Sequence, residues 1–234
     1  MLQIPIKQQP DETTCGPTCL HAIYEYYGDP VSLDSVIEEV VQFDDGGTIG
    51  AYLGIHALER GYRVQIYSYN LQLFDPTWFG KNPEFIIDRL KRQMNYKQSP
   101  KFQMATYAYI RYLELGGQLL FSDLNSKMIK KYLSNNHPVI VGLSATYLYK
   151  SAREYGVDLQ YDDIRGEPAG HFVLLHGYKK ETREVYIADP IHPNPLGEGQ
   201  YYKMKMDRVI NAILLGIVTY DANLMIITPI ANQI

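Results

Sequence analysis

Apolar and polar positions follow two different periods along the chain, and they predict helices mostly in its first part and strands mostly in its last. Near the N-terminus, apolar residues at helical spacing run from Cys15 to about Tyr27. Thr14 is placed to cap this helix, and Gly28 is placed to end it. Ser32 is expected to cap a second, short helix over LDSVIEEVV. The beginning of the chain is therefore predicted to be helical.

The middle of the chain changes in texture twice. A helix over TIGAYLGIHALERG is predicted to lead into a strand over the alternating segment YRVQIYSY. Residues 70–117 contain two helical patterns bounded by proline and glycine, and we interpret them as a helical insertion. A capped helix, SDLNSKMIKKYLSNN, and a strand, HPVIVGLS, come next. Residues 146–169 are polar and rich in tyrosine, and they are expected to form a long loop.

The clearest hairpin is GHFVLLHGYKKETREVYIADP, with predicted strands over about 171–178 and 184–189. If its turn centres near Lys180, the register places His171 opposite Asp189 on one face of the sheet. A slip of one residue would send these two side chains to opposite faces. The apolar residues expected to share their face are Val173, Leu175, Val185 and Ile187.

A helix over DRVINAILLG and a last strand over NLMIITP complete the pattern, which predicts one α+β domain over 1–234. With 46% apolar residues, the 234-residue chain can bury a full core. The net charge is −4 without a long run of one sign, so nucleic acid is not an expected partner. No apolar run is long enough for a transmembrane segment, and the N-terminus lacks a signal-peptide pattern. The sequence carries no signal for an oligomeric state.

The two cysteines lie four residues apart, and only one of them stands where a reactive thiol would. Cys15 begins the first predicted helix, where unpaired N–H groups and the helix dipole stabilise a thiolate. Gly16 behind it would let another segment approach closely. Cys19, one turn later, is expected to be a core residue. Two cysteines suit a reducing compartment such as the cytoplasm, and no metal site or other cofactor is predicted.

A cysteine nucleophile needs a base, and the base needs a group that orients it. His171 and Asp189 supply such a pair from the hairpin alone, since cross-strand neighbours lie roughly 5 Å apart. Acyl transfer also needs hydrogen-bond donors for the oxyanion. The backbone N–H of Cys15 is one candidate, and the amide of Gln8 or Gln9 is a second. The remaining histidines lack a comparable partner and are expected to have surface or core roles: His21, His56, His137, His176 and His192.

Taken together, the motifs QPDETTCGPTCLxxxYxYYG and GHFVLLHGY…IADP resemble the bacteriocin-processing, double-glycine peptidase family and its stand-alone relatives, which are papain-like cysteine peptidases. The resemblance covers about residues 6–68 and 120–228. It implies a papain-like fold in which N-terminal helices pack on a C-terminal antiparallel sheet. It also implies site residues, which are Gln9 as oxyanion donor, Cys15 as nucleophile, His171 as general base and Asp189 as the orienting carboxylate.

These residues predict a cysteine peptidase or amidase that cleaves a peptide or amide bond through a thioester. Two alternatives stay open. An amine could accept the acyl group instead of water, which would make the protein an acyl transferase or transpeptidase. The chain could also be a non-catalytic relative that binds a peptide in the same cleft. The stretches 70–117 and 146–169 are candidates for elements that shape the substrate site.

Overall fold

A central sheet with helices on both faces organises the computed structural model, which describes residues 1–43, 46–156, 158–197 and 199–230. The helices are α1 (Cys15–Tyr27), α2 (Leu33–Glu39), α3 (Gly50–Glu59), α4 (Pro83–Gln93), α5 (Pro100–Glu114), α6 (Ser126–Ser134), α7 (Ala145–Tyr149) and α8 (Met206–Leu215). The strands are β1 (Tyr62–Ser68), β2 (Gln118–Leu120), β3 (Val139–Ser144), β4 (Glu154–Tyr155), β5 (Gln160–Tyr161), β6 (Gly170–Lys179), β7 (Glu184–Ala188), β8 (Tyr201–Lys205) and β9 (Asn223–Pro229). Short 3₁₀ turns occupy Pro76–Trp78 and Gly216–Thr219.

The main sheet comprises seven strands of the described residues in the order β2-β1-β9-β3-β6-β7-β8. Its neighbouring strands are antiparallel, apart from β1 and β2, which run parallel. Strands β4 and β5 form a separate two-stranded ribbon. The arrangement confirms the predicted α+β class, while β2 and β8 are strands that the sequence patterns did not predict.

The sheet separates two apolar cores, because successive side chains of a strand point to opposite faces. On β3, Ile140 faces a first core that α1 to α5 complete. Val139 and Val141 face a second core that α6 to α8 complete. The first core packs the N-terminal helices on the sheet, as predicted. Because the second core covers the other face, β3 is buried along its whole length.

The predicted N-terminal and middle helices are confirmed. Helix α1 ends at Gly28, whose φ is 76°, and the Ser32 hydroxyl caps α2 by accepting a backbone N–H at 3.0 Å. Helices α4 and α5 occupy the stretch 70–117 and bury Leu90 and Tyr109 in the first core. Their helical character is thus confirmed, and their status as an insertion relative to the family stays a prediction.

The stretch 146–169 is not the single long loop that its polar composition predicted. It begins within α7, where the Ser144 hydroxyl accepts a first-turn N–H at 3.3 Å and Leu148 is buried in the second core. Farther along, β4 and β5 pair, and Glu154 and Glu167 exchange two backbone hydrogen bonds of 2.8 and 3.0 Å. Apolar packing at one end and backbone pairing at the other therefore order this segment.

The hairpin of β6 and β7 is present, but its register differs from the predicted one. Leu175 pairs with Ile187 rather than with Val185, because the turn lies later than assumed and a bulge separates Leu175 from Gly177. The partner of Leu175 has thus moved by two residues, from 185 to 187. Because this shift is even, the side chains of the second strand still point to the predicted face of the sheet. The apolar residues predicted to share that face all lie in the second core: Val173, Leu175, Val185 and Ile187.

Within the described part of the chain, the helices lack the combined length and apolar character that crossing a bilayer requires. The predicted single domain includes residues 44–45, 157, 198 and 231–234, which lie outside the described residues. Residue 157 also falls within the predicted loop.

Candidate active site

Cys15 lies at the open N-terminus of α1 and is 9% exposed. The prediction that Thr14 caps this helix is wrong, because its ψ of 16° turns the hydroxyl back to the Asp11 carbonyl, 3.3 Å away. Pro17, the third helical residue, also has no N–H for a cap to accept. Among the described residues, the Cys15 backbone N–H finds no hydrogen-bond acceptor. The thiol therefore lies beside a helix end with an available backbone donor.

Close packing at the start of α1 holds Cys15 against the sheet. A Cβ atom on Gly16 would lie 2.8 Å from Thr48 and 3.3 Å from Phe172, so the predicted close approach at Gly16 is confirmed. Cys19 is fully buried, and its thiol donates to the Phe172 carbonyl at 3.3 Å, which fits the expected core role. Because Phe172 follows His171 on β6, this packing brings the N-terminus of α1 to the end of the strand that carries His171.

His171 and Asp189 form a buried pair at the same end of the sheet. The Nε2 atom of His171 lies 2.8 Å from Oδ1 of Asp189, and the two residues are 6% and 0% exposed. His171 pairs across the sheet with Leu143 of β3, so it reaches Asp189 diagonally rather than directly across the hairpin. Because Asp189 engages Nε2, the other ring nitrogen, Nδ1, is the one left for the thiol of Cys15.

The Asp189 carboxylate is saturated with hydrogen bonds. Besides His171, Oδ1 accepts the backbone N–H of Ile191 at 3.1 Å. Its Oδ2 atom accepts from three side chains: Tyr202 at 2.6 Å, Tyr149 at 2.7 Å and Asn194 at 3.1 Å. Burial and the charge of Asp189 both raise the pKa values of Tyr149 and Tyr202, so their hydroxyls stay protonated and donate.

His171 and Asp189 shift each other's pKa, and Cys15 also acts on His171. Burial by itself lowers the pKa of His171, but the charges of Asp189 and Cys15 and hydrogen bonds to both outweigh it and raise the pKa to about 10. Burial by itself raises the pKa of Asp189, but the charge of His171 and the surrounding donors hold it below its usual value. The arrangement therefore favours an imidazolium on His171 and an ionised Asp189.

Cys15 and His171 share a cavity of about 320 Å³. Both stretches that the sequence analysis named as substrate-shaping contribute to its walls. Glu154, Leu159 and the segment 167–169 come from the ribbon and its flank, and Lys101 comes from α5. Four carboxylate residues line the cavity: Glu12, Glu154, Glu167 and Asp221.

Gln9 is held near the pair by its backbone. Its N–H donates to the carbonyl of Pro190, the residue after Asp189, at 2.9 Å. The side chain is 7% exposed, and its Nε2 donates one hydrogen bond to the Asp11 carbonyl at 2.7 Å, which leaves its second N–H for another acceptor. Gln9 does not itself line the cavity among the described residues. Its assignment as oxyanion donor stays a prediction.

Three of the other histidines have structural partners outside this cavity. His56 bonds Tyr24 at 2.7 Å and Glu39 at 3.0 Å, a carboxylate that the sequence spacing did not reveal. His21 lies 3.1 Å from the Val31 carbonyl, and His176 lies 2.9 Å from the Leu2 carbonyl. None of these three histidines lines the cavity that holds Cys15, as far as the described residues extend.

Sequence reasoning missed the groups that surround Asp189 and the second buried carboxyl of the cavity. Tyr149 and Tyr202 come from α7 and β8, neither of which was predicted. The high tyrosine content was the one available signal, and it could not single out two of 21 tyrosines. Asp221 precedes β9 and carries no motif. Its place at the cavity follows from the fold alone.

Comparison with known proteins shows the family. The sequence profile of the Peptidase_C39-like family matches residues 1–212. No curated protein matches the chain significantly. Similar solved structures include a double-glycine motif protease from an AMS/PCAT transporter, in complex with the leader peptide, at 15% identity and a TM-score of 0.47, covering 98% of this chain and 94% of that one.

Two further structures are similar in the same range. The peptidase domain of Streptococcus ComA, a bifunctional ABC transporter of a quorum-sensing pathway, is 14% identical with a TM-score of 0.45, covering 97% of this chain and 100% of that one. A chain described as a C39-like peptidase from Bacillus anthracis is 15% identical with a TM-score of 0.45, covering 98% and 96%. Because the profile match spans most of its length, the chain belongs to the Peptidase_C39-like family, which confirms the predicted relationship and the papain-like α+β fold.

Proposed function

We propose that the protein is a cysteine peptidase or amidase in which Cys15 is the nucleophile. The observation that carries this proposal is the shared cavity of Cys15 and His171, with the far nitrogen of His171 held by Asp189 at 2.8 Å. A thiol, an imidazole and a buried carboxylate in this order are the parts that acyl transfer through a thioester requires. Membership in a peptidase family supports the same reaction class.

In the proposed mechanism, His171 takes the Cys15 proton, and the thiolate attacks the carbonyl carbon of a peptide or amide. The tetrahedral oxyanion collapses, the C–N bond breaks, and His171 gives its proton to the leaving amine. Water then attacks the thioester while His171 takes its proton, and the C–S bond breaks to release the acid and restore the thiolate. Asp189 holds the imidazole orientation and stabilises the imidazolium throughout.

The oxyanion is stabilised by the backbone N–H of Cys15 and by the second N–H of Gln9. The open N-terminus of α1 supports the first donor, since Thr14 leaves it uncapped. The tether of Gln9 to Pro190 supports the second, because it fixes Gln9 relative to Asp189. Both cysteines are free thiols, and a reducing compartment such as the cytoplasm would keep Cys15 in the form that attacks.

The reactivity of Cys15 tests the proposal without knowledge of the substrate. At pH 6, iodoacetamide is expected to alkylate Cys15 faster than it alkylates glutathione, because a thiolate rather than a thiol reacts. Mass spectrometry identifies the labelled cysteine. Cys19→Ala is the matched control and should leave this labelling intact. A Cys15 no more reactive than glutathione would favour the non-catalytic, peptide-binding alternative.

Profiling of a peptide library then identifies the reaction. Wild-type protein and Cys19→Ala should cleave a subset of peptides, and Cys15→Ala should cleave none. Addition of an amine acceptor distinguishes hydrolysis from acyl transfer, since a transferase would yield the new amide in place of the acid.

Gln9 can be tested against its neighbour. Gln9→Ala should lower the turnover rate by ~10²–10³-fold, the usual loss for one oxyanion donor. Gln8 is the matched control, because its side chain is exposed and donates to the His192 carbonyl at 2.9 Å. Equal effects of Gln8→Ala and Gln9→Ala would remove Gln9 from the mechanism.

A further inference from the structure

Asp221 is a buried carboxyl group that the proposed mechanism does not use, although it lines the cavity of Cys15 and His171. It is 6% exposed, and its Oδ2 accepts one hydrogen bond, from the Thr219 hydroxyl at 3.1 Å. Its Oδ1 has no hydrogen-bond partner among the described residues. A buried carboxylate oxygen without a partner is costly, so its retention needs an explanation.

The Asp221 carboxyl lies beside the proposed general base. A Cβ atom on Gly170 would collide with Oδ2 of Asp221, so only a glycine before His171 leaves room for this group. The charge of His171 also acts on Asp221. A group bound to the free oxygen of Asp221 would therefore lie close to the bond that Cys15 attacks.

The rest of the cavity is acidic and lacks internal neutralisation. The side chains of Glu12, Glu154 and Glu167 form no ion pair or hydrogen bond with any residue in the described ranges. Among the lining residues that the structure describes, Lys101 is the sole lysine or arginine. Its Nζ lies over the rings of Phe43 and Tyr220, 5.1 and 5.8 Å from their centroids, and forms no ion pair within 4.0 Å in the described residues.

Two of the carboxyl groups that line the cavity, those of Asp221 and Glu154, have raised pKa values. Burial raises the pKa of Asp221 to about 7, against the lowering effects of Thr219, Lys101 and His171. Burial and the charge of Glu12 also raise the pKa of Glu154. A cation bound in the cavity would lower both pKa values, since an opposite charge favours the ionised form of a carboxyl group.

We propose that the cavity binds a positively charged group of the substrate, an ammonium or a guanidinium, with Asp221 as its main partner and the three glutamates around it. The substrate class is thus a peptide that is cationic next to the attacked bond. The charge comes either from a lysine or arginine side chain or from a free N-terminus. This inference rests on the proposed function for the position of the cation relative to the bond.

Binding to the Cys15→Ala protein tests the inference apart from catalysis. Isothermal titration calorimetry would compare N-acetylated, C-amidated alanine hexapeptides that carry lysine, norleucine or glutamate at each position in turn. At one position, lysine should bind at least ~10-fold more tightly than norleucine, as expected for a partly buried charge pair, and glutamate should bind most weakly. A norleucine hexapeptide without the acetyl group tests the free N-terminus as the source of the charge.

Substitutions assign the preference to the cavity. Asp221→Asn, made in the Cys15→Ala protein, should reduce the ratio of lysine to norleucine affinity to below ~3-fold. Lys101→Met should increase the ratio, because it removes the competing cation. Asp88→Asn is the matched control, since Asp88 lies on the exposed face of α4 and pairs with Arg92. If Asp221→Asn fails to fold, two other variants test the inference. Glu154→Gln should lower the ratio of lysine to norleucine affinity, and Lys101→Met should raise it.

The outcomes separate this inference from the proposed function. Equal affinity of the cationic and norleucine peptides at every position, no binding of any of them, or a ratio that survives Asp221→Asn would overturn the inference. Alkylation of wild-type Cys15 at pH 6 is independent of these results. A reactive Cys15 with no cation preference would leave the peptidase standing, and an unreactive Cys15 with a cation preference would leave a binding cleft.

Discussion

Two buried aspartates near His171 differ in how their carboxylates are satisfied. Asp189 is 0% exposed and accepts five hydrogen bonds, and its pKa is held below the usual value. Asp221 is 6% exposed and accepts one, and burial raises its pKa to about 7. Burial is nearly equal, so the charge of His171 and the number of donors decide the charge state. In this cavity, the ion pair with His171 and the hydrogen bonds around it keep Asp189 ionised.

The difference suits two separate roles. Asp189 needs no ligand to be stable as an anion, which fits a group that must hold His171 in one orientation through every step. Asp221 lacks a second donor, which fits a group completed by a cation from outside the chain. On our proposal, Asp189 serves the reaction and Asp221 serves substrate recognition. The cost of this recognition is that Asp221 destabilises the protein when no substrate is bound.

The largest expected effect is that of Asp189→Asn. The neutral amide removes the charge that keeps His171 protonated and oriented, so turnover of a peptide found by library profiling should fall by ~10³–10⁴-fold. The pKa of His171 should fall from about 10 toward 6.5. Titration of the histidine ring signals by NMR measures this shift.

The matched control is Asp207→Asn, because Asp207 lies exposed on α8 and pairs with Arg183. It should change neither turnover nor the titration of His171. A His171 that still titrates near 10 in Asp189→Asn would mean that Cys15, the other group acting on it, carries the effect.

The next expected effect is a gain of stability in Asp221→Asn. The pKa of Asp221 is raised from 3.8 to about 7 by folding, so the folded state holds a proton that the unfolded state has lost. This group therefore lowers the free energy of unfolding progressively from about pH 4 to pH 7, and the full penalty persists above pH 7. Asn removes the penalty, which is on the order of 4 kcal/mol for this shift.

Urea unfolding at pH 4 and pH 8 measures this prediction. Asp221→Asn should stabilise the protein at pH 8 and change it little at pH 4, where the carboxyl is protonated in the folded state and the pH is close to the unfolded-state pKa of 3.8. Asp88→Asn should have little effect at either pH. If Asp221→Asn destabilised the protein at pH 8, the carboxyl would have a partner within the fold, and the contrast with Asp189 would be lost.

The sequence could predict the parts of this site that depend on local patterns. Helix periodicity and Gly28 locate α1 and place Cys15 at its first residue. The alternation within the hairpin places His171 and Asp189 on one face, and that result survives the register error because the shift is even. Face depends on odd or even position, whereas pairing depends on turn length and bulges, which the sequence left open.

The parts that could not be predicted depend on contacts between distant segments. Tyr149, Tyr202 and Asp221 reach the site from α7, β8 and the turn before β9. No local pattern relates these residues to Asp189 or His171, since only the packing of the two cores brings the segments together. The open end of α1 was also missed, because Thr14 has the residue type of a cap but not its backbone conformation.

The smallest expected effect tests whether the hydrogen-bond donors around Asp189 stabilise its ionised carboxylate. Tyr202→Phe removes the hydroxyl that donates to Oδ2 at 2.6 Å, and it should lower the free energy of unfolding by about 1.5–3 kcal/mol, the value for a hydrogen bond to a charge. Tyr27→Phe is the matched control, because its hydroxyl donates at 3.1 Å to the neutral carbonyl of Ile227, and it should cost about 0.5–1.5 kcal/mol. Tyr202→Phe should also raise the pKa of Asp189, so that this aspartate becomes more like Asp221. Equal losses in the two variants, measured by urea unfolding at pH 7, would show that the charge of Asp189 does not depend on its donors.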